Sequence, residues 1–201
     1  MFGVVGGSLV GRALDGEADV TLYHAEHIRG YGVTDWLSLY GKLGGAYLTT
    51  NDPTIKKTDG SSTEHHFGAN LLVGVQAKNR FWRSAKYGLE WDGSVQYLDI
   101  RARHKGKNEV GWHEWQFSTS VAKSLGRFTP YIGVKASILA MKFHVRQEGQ
   151  VIRQDTYHDD VPIGAFIGTD YAFGESESVI LNIEGAYTSG PEVNVALAYT
   201  F

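Results

Sequence analysis

The chain has 201 residues, 42% hydrophobic and 20% charged, with 25 Gly, 4 Pro and no Cys. This length fits one domain or at most two small ones, and the composition argues against disorder, which requires low hydrophobicity and many charges. The net charge of −3 gives no basic footprint for nucleic acid, and the lack of cysteine excludes disulfides, thiolate metal sites and thiol nucleophiles. No uncharged stretch approaches the roughly 18 residues of a membrane-spanning helix.

Alternation of apolar and polar residues with a period of two predicts β-strands along the whole chain. The first two are the least regular, because Gly is frequent in Phe2 to Ala13, and Glu26, His27 and Arg29 blur the faces of Ala18 to Tyr31. Eight regular strands follow, at residues 37–47, 67–77, 87–97, 114–122, 131–138, 161–173, 179–188 and 192–201. We therefore predict about ten strands, with eight as the alternative, in one domain covering residues 1–201.

The last strand has the clearest pair of faces. Its apolar face carries Val193, Val195, Leu197, Tyr199 and Phe201, and its other face carries small or polar residues. Such a strand fits a soluble, lipocalin-like barrel with the apolar face inside. It equally fits a closed transmembrane β-barrel with the apolar face toward lipid.

Connection lengths favour the transmembrane barrel. Short connections are predicted at residues 32–35, 78–83, 124–127 and 174–177, and longer polar ones at residues 51–64, 101–110 and 146–160. Short periplasmic turns opposite longer extracellular loops are typical of membrane barrels, whereas a β-sandwich has no reason to sort its loops this way.

Aromatic residues gather at two levels of the predicted strands. The belt near the short turns contains Trp36, Phe81, Trp82, Tyr87, Phe128, Tyr171, Phe173, Tyr199 and Phe201. The belt near the long loops contains Tyr47, Phe67, Tyr97, Trp112, Trp115 and Tyr187. Two belts around an aliphatic band match the two interfaces of a membrane.

If the apolar faces meet lipid, the charged residues of the strands point into the lumen. The opposite register costs roughly 2–4 kcal/mol for each basic residue at mid-membrane, and several such costs exceed a net stability of roughly 5–15 kcal/mol. The predicted lumen charge network is Lys42, Lys86, Glu90, Asp92, Glu114, Lys135, Asp170 and Glu184. Glu114 and Lys135 are expected to pair, and Arg12 or Arg29 to supply a further cation.

Two motifs carry a resemblance to a known family. The ending Val193-x-Val-x-Leu-x-Tyr-x-Phe201 resembles the C-terminal signal read by the outer-membrane barrel assembly machinery. The stretch from Tyr31 to Gly44, Tyr-Gly-Val-Thr-Asp-Trp-Leu-Ser-Leu-Tyr-Gly-Lys-Leu-Gly, is similar to a tight hairpin of small Gram-negative outer-membrane barrels. The chain thus resembles the OmpA-type or opacity-type superfamily. This resemblance implies a location in the bacterial outer membrane, export with a signal peptide that this chain does not contain, contact with the assembly machinery, and no cofactor.

Catalytic and metal-binding motifs are weak. His158-Asp159-Asp160 and Glu64-His65-His66 combine histidine with carboxylate, but adjacent strand residues point to opposite faces. We expect solvated loop histidines, no metal and no enzyme. The main basic cluster is Arg101, Arg103, Lys105 and Lys107 at the outer rim, which fits contact with lipopolysaccharide phosphates or simply a hydrophilic loop.

Three functional hypotheses follow from this sequence. The preferred one is a structural or surface-interaction barrel with a plugged, charged lumen, whose outer loops contact an extracellular or envelope protein partner or a polymer. The alternative is a narrow, passive pore for ions or small solutes. An outer-membrane hydrolase ranks third.

Overall fold

The computed structural model describes residues 2–14, 18–51, 65–104, 108–147, 150–158, 163–174, 178–188 and 190–200. Nearly all of these residues lie in β-strands. In this part of the chain, no helix has the length and hydropathy needed to cross a membrane.

The strands are numbered in chain order. They are β1 (Phe2–Leu14), β2 (Ala18–Gly32), β3 (Leu37–Asn51), β4 (His65–Ser84), β5 (Leu89–His104), β6 (Asn108–Lys123), β7 (Phe128–Gln147), β8 (Gln150–His158), β9 (Ile163–Phe173), β10 (Val179–Tyr187) and β11 (Pro191–Thr200).

The strands form one antiparallel sheet that closes on itself. Each strand from β1 to β7 pairs with the next, and β11 pairs with both β10 and β1. β8 pairs with the end of β7, from Ala140 onward, and β9 pairs with its beginning, up to Ala136. β8 and β9 therefore occupy successive parts of one barrel position, and the described segments form a closed barrel of ten strands. The prediction of ten strands is confirmed, and the eight-stranded alternative is wrong.

The apolar faces of the strands point outward around the barrel. Trp91 is 46% exposed and Leu197 is 49% exposed, whereas the neighbouring Asp92 is only 5% exposed. Soluble monomers rarely expose contiguous apolar patches beyond a few hundred Å². The soluble barrel with its apolar face inside is therefore wrong, and the exposed band suits contact with acyl chains.

Tight turns join the strands at one end of the barrel, here called the short-turn end. In the turn between β2 and β3, the Thr34 hydroxyl oxygen accepts hydrogen bonds from the backbone N–H of Trp36 at 3.3 Å and of Leu37 at 3.0 Å. Glycines in the other turns have φ values of 64° to 79°, a backbone region that glycine enters without steric cost.

One short connection is displaced from its predicted place at residues 78–83. β4 continues to Ser84, and the turn lies at residues 85–88. The polar residues of this segment belong to a strand because they have partners on β5. Lys78, for example, contacts Asp92, with its Nζ 3.2 Å from Oδ2.

The predicted long loops are largely strands. β5 and β6 extend through most of residues 101–110, and β7 and β8 form a hairpin over most of residues 146–160. The predicted loop 51–64 lies outside the described residues, apart from Asn51 in β3. The end of the barrel opposite the short turns, here called the hairpin end, is thus built from extended strands.

Candidate functional site: the barrel interior

The interior toward the short-turn end encloses a polar cavity of about 610 Å³. Carboxylates outnumber lysines in its lining. The ionisable residues include Glu26, Lys42, Lys78, Glu90, Asp92, Glu114, Lys135, Asp170, Glu184 and Glu192. Strand alternation places them there, because each occupies the face opposite a lipid-facing residue.

One hydrogen-bonded network crosses four strands of the barrel. Lys42 Nζ lies 3.3 Å from a Glu26 carboxylate oxygen and donates to the Gln96 side-chain oxygen at 2.8 Å. Gln96 donates in turn to Gln116 at 2.6 Å, and Gln116 donates to Glu114 at 2.8 Å. The network connects β2, β3, β5 and β6 across the interior and fixes these side chains relative to one another.

Glu114 ends this network as a buried carboxylate, 2% exposed. Besides Gln116, it accepts hydrogen bonds from the Trp112 indole N–H at 3.0 Å and from the Ser137 hydroxyl at 2.6 Å. Several donors on a buried carboxylate offset the free energy lost when its charge leaves water.

Lys135 forms a buried ion pair with Glu192, which also accepts a hydrogen bond from the Thr188 hydroxyl at 3.0 Å. The predicted pair of Glu114 with Lys135 is wrong. In the ladder between β6 and β7, Lys135 lies opposite Ser118, four residues along the strand from Glu114.

A further cluster lies on β7, β9, β10 and β11. The Tyr131 hydroxyl donates to Glu184 at 3.0 Å, and Asn194 donates to the other oxygen of that carboxylate at 3.1 Å. The Asn182 amide lies 2.7 Å from both the Tyr131 hydroxyl and an Asp170 carboxylate oxygen. Asp170 and Glu184 are therefore held by neutral side chains.

Glu90 and Asp92 lie at the cavity mouth near the short turns. Arg80 Nε is 2.8 Å from a Glu90 oxygen, and Lys78 contacts Asp92. The predicted lumen charge network includes neither Lys78 nor Arg80, because the predicted turn at residues 78–83 covers both.

Two cations lie elsewhere than predicted. Lys86 is exposed on the turn at residues 85–88, with its Nζ 5.2 Å from the ring centroid of Tyr87, because β5 begins only at Leu89. Arg29 lies on the outward face of β2 and is exposed. The Arg12 side chain is outside the described part of the structure.

The interior toward the hairpin end is apolar. Thirteen buried side chains, here called the apolar plug, are at most 7% exposed. They are Val10, Val20, Leu22, Ala46, Leu48, Leu72, Leu98, Ile100, Ala102, Val110, Trp112, Leu139 and Met141. The apolar plug lies on the hairpin-end side of the polar cavity.

On the outer face of the barrel, apolar side chains are replaced by charged ones at the height where the apolar plug begins. Tyr97 and Trp115 form the aromatic belt on β5 and β6, with ring centroids 4.9 Å apart. One step toward the hairpin end, Asp99 and His113 form a pair with 3.2 Å between Oδ2 and Nδ1, and the Arg101 side chain beyond them is 73% exposed. Apolar lipid-facing residues thus give way to charged ones.

The inner face changes in the opposite sense. On the inward face of β5, Gln96 is followed by Leu98, Ile100 and Ala102, which are 4%, 1% and 1% exposed. Trp112 on β6 is fully buried beside them, so its predicted place in the lipid-facing belt is wrong. Beyond the belt the barrel therefore has the faces of a water-soluble protein, apolar inside and polar outside.

Sequence reasoning missed this reversal, as well as Glu26 and Glu192 in the lumen. The signal was present in β5, where Leu98 and Ile100 occupy the same alternate positions as Gln96. A change of polarity on one face without a change of period is the pattern that would have shown it.

Four residues of the predicted assembly signal face outward, namely Val193, Val195, Leu197 and Tyr199, and the fifth, Phe201, lies outside the described residues. Of the predicted basic cluster, Lys105, Lys107 and the Arg103 side chain also lie outside the described part of the structure.

The histidine motifs are described only in part. His158 is exposed, while Glu64, Asp159 and Asp160 and the side chains of His65 and His66 lie outside the description. Within the residues that the structure describes, no three His, Asp or Glu side chains are arranged to hold a metal.

No protein-family model and no curated protein matches this chain. Among solved structures, it is similar to the translocator domain of the autotransporter NalP from Neisseria meningitidis, with a TM-score of 0.50, 12% identity, and coverage of 100% of this chain and 88% of that one.

Two further structures resemble it more weakly. The COG4313 outer membrane channel from Pseudomonas putida F1 has a TM-score of 0.49 and 12% identity, covering 100% of this chain and 94% of that one. The outer membrane protease OmpT from Escherichia coli has a TM-score of 0.46 and 9% identity, covering 100% and 93%.

The fold and the orientation of its faces define a class: a closed, ten-stranded transmembrane β-barrel of the outer-membrane type. Membership of the OmpA-type or opacity-type superfamily stays a prediction.

Proposed function

We propose that this protein is an integral barrel of the bacterial outer membrane with a closed lumen, serving a structural or surface-interaction role. The apolar plug is the observation that carries the proposal. The short-turn end faces the periplasm and the hairpin end faces the cell exterior, as the lengths of the connections favour.

Closure follows from the physics of ion transfer. The plug side chains include Leu72, Val110 and Trp112 at 0% exposure, which supports a dry, packed interior. Moving an ion from water into such a medium costs of order 20 kcal/mol in an idealised estimate. On this proposal the polar cavity of about 610 Å³ is a vestibule on the periplasmic side, and the described plug side chains separate it from the cell exterior.

Planar-bilayer recording tests this proposal against the narrow-pore alternative. We expect no unitary conductance from the wild-type barrel. The double variant Ile100→Ala with Met141→Ala removes two plug side chains that flank Trp112, and it should admit ions. Arg101→Ala with Lys142→Ala is the matched control, one position further on the same strands but facing outward. Regular conductance steps from wild type would reject the closed lumen.

The outer hairpins are the surface on which an interaction role would rest. β5, β6 and β7 continue past the aromatic belt, where their outer faces carry charged residues and their inner faces contribute side chains to the plug. A water-soluble projection of this kind suits contact with an extracellular or envelope protein partner or with a polymer.

Contact with lipopolysaccharide is the more specific part of this proposal. Arg101 on β5 and Lys142 on β7 flank Gly111 of β6, both exposed at the level just outside the aromatic belt. Cations at this depth meet the phosphates of the outer leaflet, at about 1 kcal/mol for each residue near an anionic surface.

Binding of purified lipopolysaccharide to the barrel in detergent tests this contact. Arg101→Gln with Lys142→Gln should weaken binding about tenfold or more, and added salt should reduce the difference. Lys123→Gln with Arg127→Gln removes two exposed cations at the short-turn end and should leave binding unchanged. Equal losses in both variants would contradict the assignment.

A further inference from the structure

The outward, lipid-facing side of β2 carries two polar residues where apolar ones are expected. His27 and Arg29 are both exposed, and the Arg29 Nε lies 3.4 Å from the His27 Nε2. Their neighbours across the ladders are apolar or lack a side chain, with Gly3 and Gly41 on either side of Arg29. Among the described side chains, no carboxylate lies within ion-pair distance of Arg29. Within the described part of the structure, Arg29 is therefore a cation on the lipid-facing surface without an anionic side-chain partner.

The height of Arg29 corresponds to a membrane interface. It lies three residues before Gly32, where β2 ends at the short-turn end. This separation is about 10 Å along the strand, or roughly 8 Å in height for a strand tilted by about 40°. A long arginine side chain at this depth reaches the headgroups of the leaflet on the short-turn side.

An apolar groove of about 590 Å³ begins at Arg29 and runs across the outer wall. Leu39, Gly41, Val75 and Ala77 line its middle, and Trp115 on β6 closes its far end. From β2 to β6 the groove spans four strand spacings, about 19 Å. At Gly41, a methyl group would meet no atom within 4 Å, so this stretch of the floor is open.

We propose that this face binds one glycerophospholipid of the periplasmic leaflet, with its phosphate on Arg29 and His27 and one acyl chain in the groove. The guanidinium supplies paired N–H donors for phosphate oxygens, and the apolar groove packs against the acyl chain. This lipid site is separate from the proposed role of the outer hairpins. Lipid binding here requires that the barrel spans the membrane, but it does not require a closed lumen.

Native mass spectrometry of the intact barrel in dodecyl maltoside, titrated with palmitoyl-oleoyl phosphatidylglycerol, tests this site. We expect wild type to retain one lipid. Arg29→Gln removes the headgroup contact and Ala77→Trp fills the groove, and each should lower occupancy at least fivefold. Arg127→Gln removes an exposed cation from the turn between β6 and β7, outside the groove, and should match wild type.

The variants are compared only after far-UV circular dichroism and heat-dependent gel mobility show a folded barrel. Equal lipid retention by wild type, Arg29→Gln and Ala77→Trp would overturn the proposal. So would a dimer of wild type that Arg29→Gln dissociates, because a second copy would then cover this face. Regular conductance steps from the wild-type barrel would reject only the closed lumen, and equal lipid retention by the variants would reject only the lipid site, so the two proposals fail separately.

Discussion

Replacing Trp112 by alanine tests the apolar plug. The Trp112 side chain is 0% exposed, and its indole N–H donates to Glu114 at 3.0 Å. Truncating a buried Trp typically costs about 3–5 kcal/mol through lost burial and the cavity left behind. The lost hydrogen bond to a charged acceptor adds about 1.5–3 kcal/mol, moderated because Gln116 and Ser137 still donate to Glu114. We expect a loss of about 4 kcal/mol or more.

Trp115→Ala is the matched control, three residues further along the same strand and facing outward at 47% exposure. It loses mainly its ring contact with Tyr97, at a cost of about 0.5–1.5 kcal/mol beyond area burial. The difference between the two variants is then about 3 kcal/mol, more than a hundredfold in the folding equilibrium constant.

Urea titration in phospholipid vesicles, followed by far-UV circular dichroism, measures both free energies of unfolding. If the plug is packed, Trp112→Ala should lower the free energy of unfolding by much more than Trp115→Ala does. If Trp112→Ala costs less than about 1 kcal/mol, or no more than Trp115→Ala, the interior at the hairpin end is not packed as described.

Further substitutions address the buried ion pair and the close approach of strands. Lys135→Met leaves the Glu192 carboxylate buried without its cation and should lower the free energy of unfolding by about 3–5 kcal/mol. Adding Glu192→Gln to this variant should recover much of the lost stability. If the double variant shows no recovery in the same urea titration, the pairing is contradicted. Gly44→Ala places a methyl group against the β2 backbone at Ala25 and should cost about 1–3 kcal/mol. Gly45→Ala, whose new methyl group meets only an oxygen at 3.9 Å, should change stability by less than about 0.5 kcal/mol, and similar losses at both glycines would refute this reading of the register.

The sequence predicted the barrel and its faces well because lipid imposes a strict alternation. Where a strand crosses the membrane, as β5 does from Trp91 to Tyr97, the side chains that face lipid must be apolar and those between them must find polar partners inside the barrel. The energetic cost of the opposite register is large enough to decide the orientation without coordinates.

The period alone does not predict the plug, because period-two alternation is identical whether the apolar face points inward or outward; only the change of polarity along one face indicates it. Leu98 and Ile100 continue the lumen-facing positions, but only the closed sheet shows them meeting Trp112 and Met141 from other strands. Polar strand residues such as Lys78 are typical of a turn when read locally, and their partners on β5, such as Asp92, become visible only in the folded sheet.

Cysteine scanning of β5 tests the reversal of faces most directly, since the chain has no native cysteine. Single nitroxide labels in reconstituted vesicles report accessibility to oxygen, which partitions into lipid, and to a water-soluble nickel chelate. Labels at Val95 should respond to oxygen, labels at Asp99 and Arg101 to the nickel chelate, and a label at Ile100 to neither. A label at Ile100 that meets the nickel chelate, or one at Asp99 that remains in lipid, would contradict a barrel that turns its apolar side inward beyond the membrane.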